Sequence, residues 1–283
     1  MGQDPRQDRQ RRQLLKAAAL AAPATLLAAG TAQAQFVPPQ ATPGRSFVLV
    51  HGAWHGAWCW RRVADALIEQ GHKVYTPTLT GLADRSHLLS AQINLDTHIL
   101  DIANLFKWEE ISSAILVGHS YGGWPVSGAL EKIGDRVASV VFLDAFLPKN
   151  GQSGLDIQTP TSQGAVQEAL KRGEISRPAP PASTFKFRRK SDEEWVARQM
   201  TAQPIGVSTQ PIVLTGARER MRDKYYLRAA RYPNPVFDGH LADCRADTSW
   251  KTSTLDSGHD VMIDAPELLL PILGQIAGAP ALA

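Results

Sequence analysis

Ala114-Ile115-Leu116-Val117-Gly118-His119-Ser120-Tyr121-Gly122 decides the fold of this 283-residue chain. Four consecutive apolar residues read as a strand buried on both faces. The strand runs straight into a G-x-S-x-G sequence, and a helical pattern follows from about Tyr121 to Ile133. A strand, a tight turn and a helix with serine at the apex is the setting of a nucleophile elbow. The glycines let the backbone turn sharply, so the Ser120 hydroxyl stands above the sheet. The start of the helix offers free N–H groups and a positive dipole end to a developing oxyanion.

Outward from this turn the chain alternates short strand patterns with longer helical ones. Strands are predicted at 47–50, 73–76 and 138–143, helices at 58–70 and 95–108. The β-α-β-α-β order predicts right-handed crossovers and a mostly parallel sheet flanked by helices. The rhythm breaks over residues 146–222, which carry a Pro-rich stretch, a basic patch (Lys186, Arg188, Arg189, Lys190) and a helix at 192–200. This segment is read as an inserted cap over one end of the sheet, and its basic patch as solvated surface. Strands resume at 224–229 and 251–255, and a helix at 266–276 ends the domain, taken as residues 46–283.

Composition excludes several classes. With 43% hydrophobic and 20% charged residues, wholesale disorder and collagen-like fibres are out. Two cysteines, Cys59 and Cys244, cannot build a disulfide framework or a zinc cluster, and are read as separate thiols. The formal charge of +3 is local: residues 1–34 hold five basic residues against two acidic, and the remainder balances at 25 of each. Those 34 residues read as an export signal, with an apolar Ala-rich run and a small-x-small end at Ala32-Gln33-Ala34. Arg11-Arg12-Gln13-Leu14-Leu15-Lys16 resembles a twin-arginine signal, which predicts the twin-arginine export machinery as a partner and a periplasmic or secreted location. The apolar run is too short for a stable membrane anchor, and residues 35–45 read as a linker. What remains is formally neutral; it suggests no nucleic-acid partner and suits an uncharged small-molecule substrate without choosing one.

A serine hydroxyl is a weak nucleophile and needs a base. His259, in Asp256-Ser257-Gly258-His259-Asp260, follows the last predicted strand, where the base falls in a Ser, acid, His chain order. The oxyanion needs two backbone donors. The amide of Tyr121 is one; the other is expected from the loop His51-Gly52-Ala53-Trp54, with Ala53 preferred over Trp54.

Phe47 to Trp60 (FVLVHGAWHGAWCW), Gly118 to Gly123 (GHSYGG), Leu143-Asp144-Ala145-Phe146 and Gly258-His259-Asp260 together resemble the α/β-hydrolase branch that contains plant methyl-ester esterases and hydroxynitrile lyases. Thr80 to Leu88 and Asn94 to Trp108 resemble its bacterial esterases, including those similar to pyrethroid hydrolases. The resemblance implies an α/β-hydrolase fold and a serine esterase that works without metal or organic cofactor. Many members carry the acid after the penultimate strand, but here Ala230-Arg231-Tyr232-Pro233 follows it. Asp144, at the end of the neighbouring strand, is the substitute, with Asp238 in the following loop as the alternative. Lyases of the branch place a threonine where this chain has Gly52 and a lysine after the catalytic histidine, where Asp260 stands. Hydrolysis is therefore preferred over cyanohydrin cleavage, and an intact Ser120–His259 pair over a non-catalytic binding scaffold. Trp54, Trp58 and Trp124 are expected to shape an apolar substrate pocket.

Overall fold

The strands of this computed structural model, which describes residues 44–278, are β1 (Ser46–Val50), β2 (Lys73–Tyr75), β3 (Ala114–His119), β4 (Val137–Leu143), β5 (Ser176–Arg177), β6 (Gln203–Pro204), β7 (Asp223–Ala229) and β8 (Trp250–Leu255). The segment read as an export signal and all but the last two residues of the linker lie outside the described residues. Six strands form one sheet in the order β2-β1-β3-β4-β7-β8, and every pairing is parallel. β5 and β6 make a separate antiparallel ribbon.

Successive side chains of a strand point to opposite faces, and β1 shows the consequence. Val48 and Val50 pack into one core with α2 (Leu95–Trp108), α3 (Gly123–Ile133) and α6 (Pro235–Ala246). Phe47 and Leu49 pack into a second core with α1 (Arg61–Glu69) and α7 (Pro266–Gly278). A sheet covered on both faces explains why the central strands read as continuous apolar runs. α2 begins at a capping box: Asn94 Oδ1 accepts the Thr97 amide at 3.1 Å, and Thr97 Oγ1 accepts the Asn94 amide at 3.3 Å.

The insertion between β4 and β7 holds α4 (Pro160–Lys171), the β5–β6 ribbon and α5 (Lys190–Gln199). Its basic patch is paired rather than merely solvated. Arg189 and Arg62 both bind Asp192, and Arg188 binds Asp264 and Glu267. Neither α4 nor α6 was expected from periodicity, because each buries only a few residues. No helix among the described residues is long and apolar enough to cross a membrane. Cys59 and Cys244 are separate buried thiols.

Candidate active site

Ser120 sits where β3 turns into α3, with φ of 52°. A serine in the left-handed region is strained, and the turn is held on both sides. The Phe146 amide donates to the Ser120 carbonyl at 3.1 Å. A Cβ at Gly122 would stand 2.8 Å from the His51 carbonyl oxygen, so the elbow and the β1 loop approach closely only through glycine. Asp144 leaves the end of β4 with φ of 44°, its amide donating to the Leu227 carbonyl at 2.7 Å. His259 lies in the loop after β8. Its amide donates to the Phe185 carbonyl at 2.8 Å, and its own carbonyl accepts His119 Nε2–H at 3.0 Å.

These three side chains form one hydrogen-bonded line. His259 Nδ1–H donates to Asp144 Oδ2 at 2.6 Å, and Ser120 Oγ–H donates to His259 Nε2 at 2.8 Å. A carboxylate on Nδ1 requires a proton there, which leaves Nε2 as the acceptor facing the hydroxyl. Asp144 is fully buried, and its other oxygen accepts Arg228 Nη1–H at 2.7 Å and the Ala229 amide at 3.0 Å. The imidazole stacks on Tyr232 and Phe237, at centroid distances of 4.3 and 5.7 Å. Asp238 does not reach it. It lies in the first turn of α6 rather than in a loop, 62% exposed, and binds Arg228.

A cavity of about 650 Å³ opens over Ser120 and His259, within the range of small-molecule sites. Ala53, Tyr121, Trp54 and Trp124 all line it; Trp58 does not. Trp58 instead stacks on His55 at 4.9 Å and meets Trp195 edge-on, so its place in the motif reflects core packing. Of the two amides weighed in the β1 loop, that of Trp54 donates to Gln203 Oε1 at 3.0 Å. Ala53 is thereby left as the candidate oxyanion donor of that loop. The Tyr121 amide lies in the first turn after β3, where backbone N–H groups lack intrahelical acceptors. The Tyr121 hydroxyl is turned away, donating to His98 Nδ1 at 3.0 Å.

Behind His259 lies a second group of titratable side chains that motif reading missed. Both ring nitrogens of His55 face acceptors: Nδ1 the Ala53 carbonyl at 2.7 Å, and Nε2 the Asp260 carboxylate at 3.0 Å. Two acceptors require two protons, so His55 is an imidazolium paired with buried Asp260. Burial opposes its charge, but the carboxylate outweighs it and raises the His55 pKa. Burial would likewise raise Asp260, yet His55 holds it down to about 2. His119, His259 and Asp260 also lie close enough to share a metal ion. Both nitrogens of His259 already have partners in Ser120 and Asp144, which makes that use incompatible with the hydrogen-bonded line.

A family model described as the alpha/beta hydrolase family matches residues 47–271. The chain is 35% identical over 243 residues to a carbendazim hydrolyzing esterase of Nocardioides sp. (strain SG-4G), covering 82% of this chain and 99% of that one. It is 36% identical over 140 residues to methylesterase 2 of Arabidopsis thaliana, covering 46% of this chain and 50% of that one. Among solved structures it is similar, with a TM-score of 0.70 and 22% identity, to an extracellular alpha/beta-hydrolase from a Paenibacillus species. That likeness covers 83% of this chain and 100% of the other, and bears on the fold alone.

Proposed function

This chain belongs to the alpha/beta hydrolase family, and on that premise we propose that it is a serine esterase cleaving a small carboxylic ester through an acyl-enzyme. The observation that carries the reading is the line from Asp144 through His259 to Ser120 at the floor of the cavity. The carbendazim hydrolyzing esterase and methylesterase relatives support ester hydrolysis as the reaction class.

In this mechanism Ser120 Oγ attacks the ester carbonyl as His259 Nε2 takes its proton. Asp144 fixes the imidazole tautomer and stabilises the imidazolium that forms. The amides of Ala53 and Tyr121 receive the oxyanion, each donor contributing about 3 kcal/mol to the transition state. His259 then protonates the leaving alcohol, and water repeats the cycle on the acyl-enzyme. Trp54 and Trp124 bind the apolar part of the substrate.

Turnover of p-nitrophenyl acetate or butyrate tests the reading. The expected result is hydrolysis that Ser120→Ala abolishes. No turnover across a wide panel of esters would leave a binding scaffold as the better account. We also propose that residues 1–34 direct twin-arginine export. The expected outcome is a mature chain starting near Gln35 in the periplasm, and retention in the cytoplasm when Arg11 and Arg12 are both replaced by Lys.

A further inference from the structure

The antiparallel register of the cap ribbon places Arg177 opposite Gln203, which puts both side chains on one face. That face is built around Trp54. Gln203 Oε1 accepts the Trp54 amide, the Thr201 amide donates to the Trp54 carbonyl at 3.0 Å, and the Arg177 guanidinium lies 5.5 Å above the indole centroid. Each of these three side chains holds a buried donor with no acceptor among the described residues: Trp54 Nε1, Arg177 Nε and Gln203 Nε2. Gln203 is fully buried. Among the described residues Arg177 has no ion-pair partner, and its guanidinium makes one long hydrogen bond, 3.4 Å, to Ser208 Oγ. Burial lowers its pKa.

Trp54 and Arg177 line the same cavity as Ser120 and His259, and no Asp or Glu among the described residues lines it. A cavity wall that carries a guanidinium, with no carboxylate of the described residues beside it, fits an anion whose oxygens accept from a planar fork. We propose that Arg177, with the Trp54 indole N–H beside it, is a subsite for a second, ionised carboxylate on the substrate. The enzyme would then prefer esters that carry a carboxylate beyond the scissile bond. This rests on the esterase reading above and deepens it.

The test compares matched esters that differ in one terminal group. Monomethyl adipate is set against methyl hexanoate for the acyl side, and 4-acetoxybutanoate against butyl acetate for the alcohol side. The expected result is a kcat/KM ratio of about tenfold or more favouring the carboxylate ester in one pair. In Arg177→Met that ratio collapses towards or below one, and Arg177→Lys restores part of it. A wild-type ratio near one in both pairs, or a ratio that Arg177→Met leaves intact, overturns the subsite. Hydrolysis of the neutral esters alone would keep the esterase and remove the subsite. If none of the four is hydrolysed, p-nitrophenyl butyrate decides the esterase reading separately, and calorimetric titration of monomethyl adipate and 4-acetoxybutanoate into Ser120→Ala, with and without Arg177→Met, still decides the subsite. Binding of either that Arg177→Met weakens about tenfold supports it, and binding indifferent to Arg177, or no binding, overturns it.

Discussion

Asp144 lies 2.6 Å from His259 Nδ1 although the two are 115 positions apart in the chain. Asp238, the other acid in reach by sequence, is exposed and bound to Arg228 instead. Asp144→Asn should therefore lower kcat about 10⁴-fold, because the amide no longer enforces the tautomer that leaves Nε2 free to accept. Asp238→Asn should change kcat by no more than about threefold, the scale of a surface ion pair. Steady-state kinetics on p-nitrophenyl butyrate compares them, and a large loss confined to Asp238→Asn reverses the assignment.

Arg228 neutralises Asp144 from β7 and also donates to the Tyr232 carbonyl at 2.6 Å. Taking away one partner of a buried pair costs about 3–5 kcal/mol, because the other charge is left without compensation. Arg228→Met should lose stability on that scale in urea unfolding. A loss below about 1 kcal/mol would mean that Asp144 finds its compensation elsewhere.

Local signals carried the frame of this fold, and their limits are physical. The elbow was legible because a four-residue apolar run and a G-x-S-x-G sequence adjoin. Asp144 could be singled out because strand order brings β4 and β7 together and Ala230-Arg231-Tyr232-Pro233, directly after β7, holds no acid. Arg228 could not, since an arginine on a strand looks like surface until a carboxylate is found beside it. The His55–Asp260 pair spans 205 positions and leaves no periodicity. α6 was hidden for another reason: Asn234 caps it and Pro235 opens it, and those residues read equally well as a loop.

Gly52 bears on the lyase alternative. A Cβ there would lie 2.9 Å from Ser120 Cβ and 3.0 Å from His119 Nδ1, so any side chain must displace the elbow or the ring behind it. Gly52→Thr, which installs the residue typical of the lyases, should lower kcat/KM at least tenfold on esters without creating cyanohydrin cleavage. Circular dichroism separates a folded, impaired enzyme from an unfolded one. Unchanged ester hydrolysis would show that the loop yields.

Two buried histidines predict an acid limit to stability. Burial pushes His51 down to about 3 and His98 to about 4; each keeps one ring nitrogen as an acceptor, from the Leu79 amide and the Tyr121 hydroxyl. Their folded pKa values lie below the unfolded value of about 6.5, so the unfolded chain takes up the protons first. The stability they confer is complete above about pH 6.5 and is lost as pH falls, at up to about 1.4 kcal/mol per unit for each. The urea midpoint should drop steadily from pH 6.5 to 4. A midpoint that stays level over that range refutes the assignment.

The His55–Asp260 pair has the opposite signs in its two members. His55 is raised, so its contribution is complete below about pH 6.5 and fades only as pH rises through its folded pKa. Asp260 is held to about 2, so its contribution is complete above about pH 4 and disappears as pH falls towards 2. The pair is therefore fully formed from about pH 4 to 6.5. Asp260→Asn should cost about 3–5 kcal/mol at pH 6, since it strands a buried imidazolium. Its effect on kcat/KM below the melting temperature should stay under tenfold, because the carboxylate faces His55 and not the cavity. Asp260→Lys places an ammonium against that imidazolium and should not fold. The charge of His55 in the wild-type protein is read from its imidazole resonances in NMR, and a ring that loses its proton below about pH 6.5 would overturn the pairing.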